Sequence, residues 1–331
     1  MNVPFIGAGS WGTALAQVVA TNGHDVVLWA RRPEVASAIN RDHRNPDYLK
    51  DADLDPRVHA TSSVEEAVGG AEAIISVTPS KYVRSTAESL APFVFPDVPI
   101  LVCSKGVELD TGLVPTQVFE EVLGNPARIA ALSGPNHAEE IVKGVAAGTV
   151  VASDSAQTAE FFQQLLASEA FRVYTSDDVM GVELCAAFKN VIAIAVGVAY
   201  GLGYGDNTAA MLMTRGQAEM SRLIAASGGN PMTCMGLAGT GDLIATCMSR
   251  HSRNRTFGEA LAAGETVEEF EARKRMVVEG AQACLTLGTL SKRYQVELPI
   301  TDVVRSMVWD HVEPREIATL LASRSLKPEF Y

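Results

Sequence analysis

The residues of this 331-residue chain that could do chemistry fall in a few short stretches, beginning at its start. Val3-Pro4-Phe5-Ile6 runs into Gly7-Ala8-Gly9-Ser10-Trp11-Gly12, an apolar strand pattern entering G-x-G-x-x-G and then a helical one. In such a turn Gly7 allows the sharp bend, Gly9 the close approach of a pyrophosphate, and Gly12 tight packing of helix on strand. The helix N-terminus adds amide donors and a partial positive charge for the phosphates. A glycine-rich turn without nucleotide has the same composition. The strand before the motif and the second strand after it favour the dinucleotide.

The end of that second strand should choose the cofactor. NAD sites commonly place an acid there to bind the ribose 2′-hydroxyl. This chain instead reads Leu28-Trp29-Ala30-Arg31-Arg32. Arg31 and Arg32 can pair with a 2′-phosphate, which favours NADP(H) and leaves NAD(H) open; two exposed arginines at a helix start are the plainer reading.

Two lysines and an aspartate are the candidates for catalysis. Lys105 follows the apolar run Ile100–Cys103 directly, where open α/β sheets bind ligands, although a solvated surface lysine reads equally well there. Ser133-Gly134-Pro135-Asn136-His137 ends another strand in a tight turn suited to an anion, and Thr78-Pro79-Ser80 ends a third that could border a nicotinamide. Lys189 is the oddest residue. Val182, Cys185, Lys189, Ile192 and Val196 form one helical stripe, apolar except for the lysine. Taken alone it reads as a lysine snorkelling from a core helix. Asn190, with Glu183 on the same face two turns earlier, points to a polar patch. Burial disfavours an ammonium, and an anionic substrate favours it. Last, Gly236-Leu237-Ala238-Gly239-Thr240-Gly241-Asp242 offers an aspartate to orient a lysine, and Ser252-Arg253-Asn254 a dense donor set for phosphate.

These residues need a frame. Strand patterns fall at Val3–Ile6, Asp25–Trp29, Val58–Thr61, Glu72–Val77, Pro99–Cys103, Arg128–Leu132, Gly148–Ser153 and Phe171–Thr175. Helical patterns such as Trp11–Thr21, Ser80–Leu90 and Val114–Leu123 alternate with them, which predicts a mostly parallel sheet covered on both faces. Beyond residue 176 helical patterns take over, at 178–203, 207–227, 257–263, 267–272, 279–294, 300–308 and 314–322. The fold class is therefore α/β plus all-α, with a dinucleotide-binding domain over 1–176 and an all-helical substrate domain over 177–331.

Composition excludes several classes. A net charge of −12 opposes nucleic-acid binding by counterion release. An odd five cysteines without close pairs fit neither a disulfide framework nor a zinc site, and no metal is expected. The start lacks a signal-peptide pattern, and the apolar stretch Val191–Tyr204 reads as too short to span a membrane, so a soluble cytoplasmic protein is expected. The apolar helices could bury each other or a homodimer interface.

The motifs run in order through nearly the whole chain: GAGSWGTALA at 7–16, CSKG at 103–106, SGPNHAEE at 133–140, ELCAAFKNVIAIAVG at 183–197, GDNTAAMLMTRGQAEM at 205–220, GLAGTGDLIATC at 236–247, HSRNRTFG at 251–258 and VVEGAQ at 277–282. In these the chain resembles the bacterial-type NAD(P)-dependent sn-glycerol-3-phosphate dehydrogenases. The resemblance implies a Rossmann-type doubly wound sheet followed by a helical substrate domain. It implies reversible hydride transfer between NAD(P)H and dihydroxyacetone phosphate, giving sn-glycerol 3-phosphate for phospholipid synthesis. Carried over by motif, Lys189 exchanges the proton with the carbonyl oxygen, and Lys105 touches both substrate and nicotinamide. Gly134, Asn136, Asp242, Ser252, Arg253 and Asn254 bind substrate, with Arg253 also facing the cofactor. Ser10, Trp11, Arg31, Arg32, Ala138, Val277 and Glu279 complete the cofactor contacts. Family members vary at the position of Asn136, often carrying Thr or a similar small polar residue, which leaves its role less secure. The β-hydroxyacid and ketoacid reductases, which share a Rossmann half, a helical half and a lysine, are the nearest alternative; a dinucleotide sensor without turnover is another.

Overall fold

Continuous Val, Ile and Leu runs with no polar alternation make strands that can only be stable with both faces covered. In the computed structural model, which describes residues 1–274, 276–315 and 328–329, eight such strands form one sheet. They are β1 (Asn2–Ile6), β2 (Asp25–Trp29), β3 (Val58–Thr61), β4 (Ile74–Ser76), β5 (Ile100–Val102), β6 (Ile129–Ser133), β7 (Ala147–Ala152) and β8 (Phe171–Ser176). Their order is β3-β2-β1-β4-β5-β6-β7-β8. Every neighbouring pair is parallel except β6 and β7, which run antiparallel. All eight sequence-predicted strands are present, with ends shifted by a residue or two.

Seven helices accompany the strands: α1 (Ser10–Thr21), α2 (Pro33–Asp42), α3 (Val64–Val68), α4 (Val83–Leu90), α5 (Pro115–Leu123), α6 (Ala138–Ile141) and α7 (Ala156–Leu166). The period-2 alternation of strand side chains sorts the core into two layers. Phe5, Leu28, Ile75, Leu101 and Ala130 pack with Leu15 and Val19 of α1 and with α2 and α7. Ile6, Ile74, Ile100, Val102 and Ile129 pack on the other face with Val83 and Ala87 of α4 and Phe119 of α5. Because β2 and β3 lie on one side of β1 and β4 on the other, the chain reverses its winding between β1 and β4. The carboxyl ends of those two strands flank the crevice where such sheets take ligands.

Later helices are α8 (Val179–Gly201), α9 (Asp206–Ala226), α10 (Asp242–Met248), α11 (Arg253–Ala262), α12 (Val267–Lys274), α13 (Glu279–Tyr294) and α14 (Pro299–Trp309). The expected helix at 314–322 lies largely outside the described residues. The described residues pack as two units, one of residues 1–186 with 224–242, the other of 187–223 with those from 243 onward. The change from strand–helix alternation to helices comes at Ser176, the end of β8, whereas the packing divisions fall inside α8, inside α9 and at the start of α10.

Helix α8 corrects one expectation. It is 23 residues long with a mean hydropathy of 1.8 over its most apolar window, so its length does not rule out a membrane span. Its apolarity is instead accounted for by packing, since 89% of that window is buried in protein. In the second unit Gly197 of α8 and Gly258 of α11 let the helices touch backbone to backbone: a Cβ on Gly258 would stand 2.2 Å from the Ile194 carbonyl oxygen. That close approach fixes the part of α8 that carries Lys189.

Candidate active site

The glycine turn takes the geometry that its spacing predicts. Gly7 sits at φ +126°, outside the range of ordinary side chains. A Cβ on Gly12 would lie 2.0 Å from the Gly7 carbonyl oxygen, so α1 can pack on the turn only without one. A Cβ on Gly9 would project into open space, which is where the close approach of a phosphate requires room. Helix α1 begins at Ser10 with no side-chain cap and no acid in its first turn, leaving its N-terminal amides for an anion. The buried Trp11 Nε1–H has no acceptor among the described residues. These features fit a bound dinucleotide. Gly12→Ala is expected to cost about 1–3 kcal/mol of stability through overpacking, and to weaken NADPH binding in a fluorescence titration because relief of the clash must displace Gly7.

Arg31 and Arg32 are both exposed just past β2, with Arg32 at the N-cap of α2. Arg32 is not free. It pairs with Asp47 and lies 3.9 Å from Glu34. Sequence reading missed the segment behind that pair. Asn45, 1% exposed, donates from Nδ2 to the Ala8 carbonyl (3.0 Å) in the glycine turn and to Thr13 Oγ1 (2.9 Å). Its Oδ1 accepts from the amides of Asp47 and Tyr48. The available signal was an Asn-Pro-Asp turn after a helix, which marks a loop but not what the loop holds.

Three sequence candidates meet at the carboxyl ends of β5 and β6. Lys105 Nζ donates to Asp242 Oδ2 at 2.7 Å and to the Gly134 carbonyl at 3.4 Å. The two side chains are 16% and 4% exposed, so this ion pair is largely desolvated. Lys105 is placed by Ser104, whose Oγ donates to the Thr78 carbonyl past β4 (2.6 Å). Asp242 is delivered by a single π-helical turn, Leu237–Gly241, rather than by the loop that its glycines suggest. That turn is pinned by Thr240 Oγ1 on the Cys234 carbonyl (2.8 Å). Asn136 donates to the Gly148 carbonyl at 3.0 Å, while its buried Oδ1 and the Ser133 hydroxyl have no partner among the described residues. Ala138 is buried at the start of α6.

The second unit holds the remaining candidates. Lys189 is 8% exposed and its Nζ donates to Thr246 Oγ1 at 2.9 Å. Asn190 Oδ1 accepts from Asn254 Nδ2 (2.9 Å), and Asn190 Nδ2 donates to Glu279 (3.3 Å). Asn254 Oδ1 accepts the Gly280 amide (2.9 Å), so both ends of this proposed substrate ligand also tie α8, α11 and α13 together. Ser252 caps α11 by accepting from the Arg255 amide at 3.3 Å. The first turn of α11 has no acid, and Arg253, exposed there, reaches the Val277 carbonyl (3.5 Å).

Glu183 departs from the polar patch expected around Asn190. Its carboxyl group accepts from the Thr116 amide (3.1 Å) and pairs with the Thr116 hydroxyl at the N-terminus of α5, within the first unit. Burial pushes its pKa from 4.5 up to about 8, against the pull of the Thr116 bonds. Between those values the unfolded chain ionises while the folded one keeps the proton. The stability Glu183 contributes is therefore whole at acid pH and lost as pH rises from 4.5 through about 8. Glu183→Gln, which cannot ionise, is expected to give a shallower fall of Tm across that range by scanning calorimetry. An unchanged slope would mean that Glu183 is not protonated in the fold.

A doubly wound sheet with an uncapped glycine turn at its switch point, and a second, helical unit, defines a Rossmann-type, nicotinamide-dinucleotide-dependent oxidoreductase. The chain belongs to the NAD-dependent glycerol-3-phosphate dehydrogenase family: the model of that family's N-terminus matches residues 2–159 and that of its C-terminus residues 178–319. It is 47% identical over 331 residues to glycerol-3-phosphate dehydrogenase [NAD(P)+] of Thermobifida fusca, covering 99% of this chain and 98% of that one. It is 46% identical over 328 residues to glycerol-3-phosphate dehydrogenase [NAD(P)+] 2 of Mycobacterium bovis, with the same coverages. The crystal structure of glycerol-3-phosphate dehydrogenase from Coxiella burnetii superposes with a TM-score of 0.93 at 32% identity, over 98% of this chain and 99% of that one.

Proposed function

We propose that this chain catalyses reversible hydride transfer between NAD(P)H and dihydroxyacetone phosphate, giving sn-glycerol 3-phosphate for phospholipid synthesis in the cytoplasm. The observation that carries the reading is Lys189. Keeping an ammonium 8% exposed in an apolar helix costs several kcal/mol, a cost that catalysis would explain. When bound, the nicotinamide supplies the hydride; the rest of the work falls to side chains.

Lys189 passes a proton to the carbonyl oxygen as negative charge builds there, and takes it back in the reverse direction. Lys105 adds a second positive charge at that oxygen, worth more in the transition state than in the ground state. Asp242 aims Lys105 and accepts from a substrate hydroxyl. Gly134 and Asn136 line the substrate from the end of β6, Asn136 through its buried Oδ1. Ser252, Arg253 and Asn254 receive the phosphate at the N-terminus of α11, where the helix dipole also favours it. Gly7, Gly9, Ser10, Trp11 and Gly12 hold the pyrophosphate, and Arg31, Arg32, Ala138, Arg253, Val277 and Glu279 complete the dinucleotide site. NADP(H) is the favoured cofactor, since Arg31 and Arg32 stand where an NAD site has its acid, and NAD(H) is also used.

The test follows absorbance at 340 nm as the purified protein oxidises NADPH or NADH with dihydroxyacetone phosphate, and in parallel with unphosphorylated dihydroxyacetone. Turnover of the phosphate ester alone is expected. Failure with both cofactors in protein that binds NADPH, or preference for a 2-keto acid, overturns the assignment.

A further inference from the structure

Of the two arginines past β2, Arg32 is not a free charge. Arg32 is paired with Asp47 and has Glu34 within 3.9 Å. Two arginines and two acids at one end of the site sum to no net charge. A bare arginine pair would attract the dianionic 2′-phosphate strongly; this arrangement attracts it weakly until the Arg32–Asp47 pair opens.

Asp47 is also placed by the cofactor site itself. Its backbone amide is held at 3.1 Å by Asn45 Oδ1, and Asn45 is anchored through Nδ2 to Ala8 in the glycine turn and to Thr13 in α1. The turn that carries the carboxylate is thus built onto the pyrophosphate loop. Its position does not depend on the Asp47 side chain, which is 34% exposed.

We propose that Asp47 sets this chain's choice between NADPH and NADH by competing with the 2′-phosphate for Arg32. The inference rests on the dinucleotide reading above. NADPH must displace the carboxylate from Arg32, whereas NADH, with a neutral 2′-hydroxyl, binds with the pair intact. Neutralising Asp47 therefore releases Arg32 to the phosphate and removes one repelling charge, with little consequence for NADH.

The test titrates NADPH and NADH by cofactor fluorescence into the full chain and into Asp47→Asn, Arg32→Ala and the double variant. Asp47→Asn is expected to tighten NADPH about tenfold, the scale of one partly screened charge interaction, and to leave NADH within about twofold. Arg32→Ala is expected to weaken NADPH selectively, and in its background Asp47→Asn should have a smaller effect on NADPH. An unchanged NADPH-to-NADH ratio in Asp47→Asn, or an equal change for both cofactors, overturns the inference while the dinucleotide reading stands. If the unaltered protein binds neither, that reading falls and the inference with it.

Discussion

Lys189→Ala is expected to lower kcat for reduction of dihydroxyacetone phosphate by about 10³-fold, within the usual span for removing a general acid. Kd for NADPH should stay within about twofold, since the dinucleotide site loses no ligand. The size of the effect follows from how firmly the lysine is held. Its ammonium rests on Thr246 Oγ1, and the α8 backbone around it is fixed by the Gly197–Gly258 crossing and by Asn190 on Asn254 and Glu279.

A structural role for Lys189 predicts something different, which Lys189→Met separates. The thioether fills similar volume without the charge, and removing a buried charge together with its desolvation cost is often neutral or stabilising. Activity lost with Tm held or raised marks a lysine kept for chemistry. A fall in Tm that accompanies the loss, in both variants, would show that Lys189 serves packing and would remove it from the mechanism.

The second large effect is expected at Asp242. Truncating it to alanine leaves Lys105 largely buried with the distant Gly134 carbonyl, and stranding one member of a buried pair typically costs about 3–5 kcal/mol. Urea unfolding should show that loss, and kcat/KM should fall by at least about 10²-fold as Lys105 loses its aim. Asp242→Asn keeps the shape and one acceptor, so it should lose less stability while activity stays low. The coupling is read from Lys105→Met: in that background Asp242→Ala should cost much less than in the unaltered protein, because no charge remains to be stranded. Equal costs in the two backgrounds would mean that the pair does not act as a unit.

Side chains facing opposite ways along a strand, and every three to four residues along a helix, are local properties, so hydrophobic period placed all eight strands and the long helices. The same local logic found the glycine turn, because the three glycines answer steric demands within a few residues of one another: φ +126° at Gly7, room at Gly9, contact at Gly12. It also singled out Lys189, which the fold buries, since one charge in an apolar stripe is visible without any fold.

What the sequence left undecided were choices among distant partners. Lys105 and Asp242 are separated by 137 positions and meet only because sheet order brings β5 beside β6 and the π-helical turn against their ends. Glu183 shares a helical face with Asn190, yet its carboxyl group goes to α5, whose N-terminus offers an amide and a hydroxyl. The apolarity of α8 is the same whether lipid or protein covers it, and only the 89% burial of its window decides. The arginines past β2 suggested a basic pocket until Asp47 arrived from a turn with no period to read. Polar partners are selected by whichever groups the packed backbone leaves within hydrogen-bond reach, and that is a property of the assembled fold.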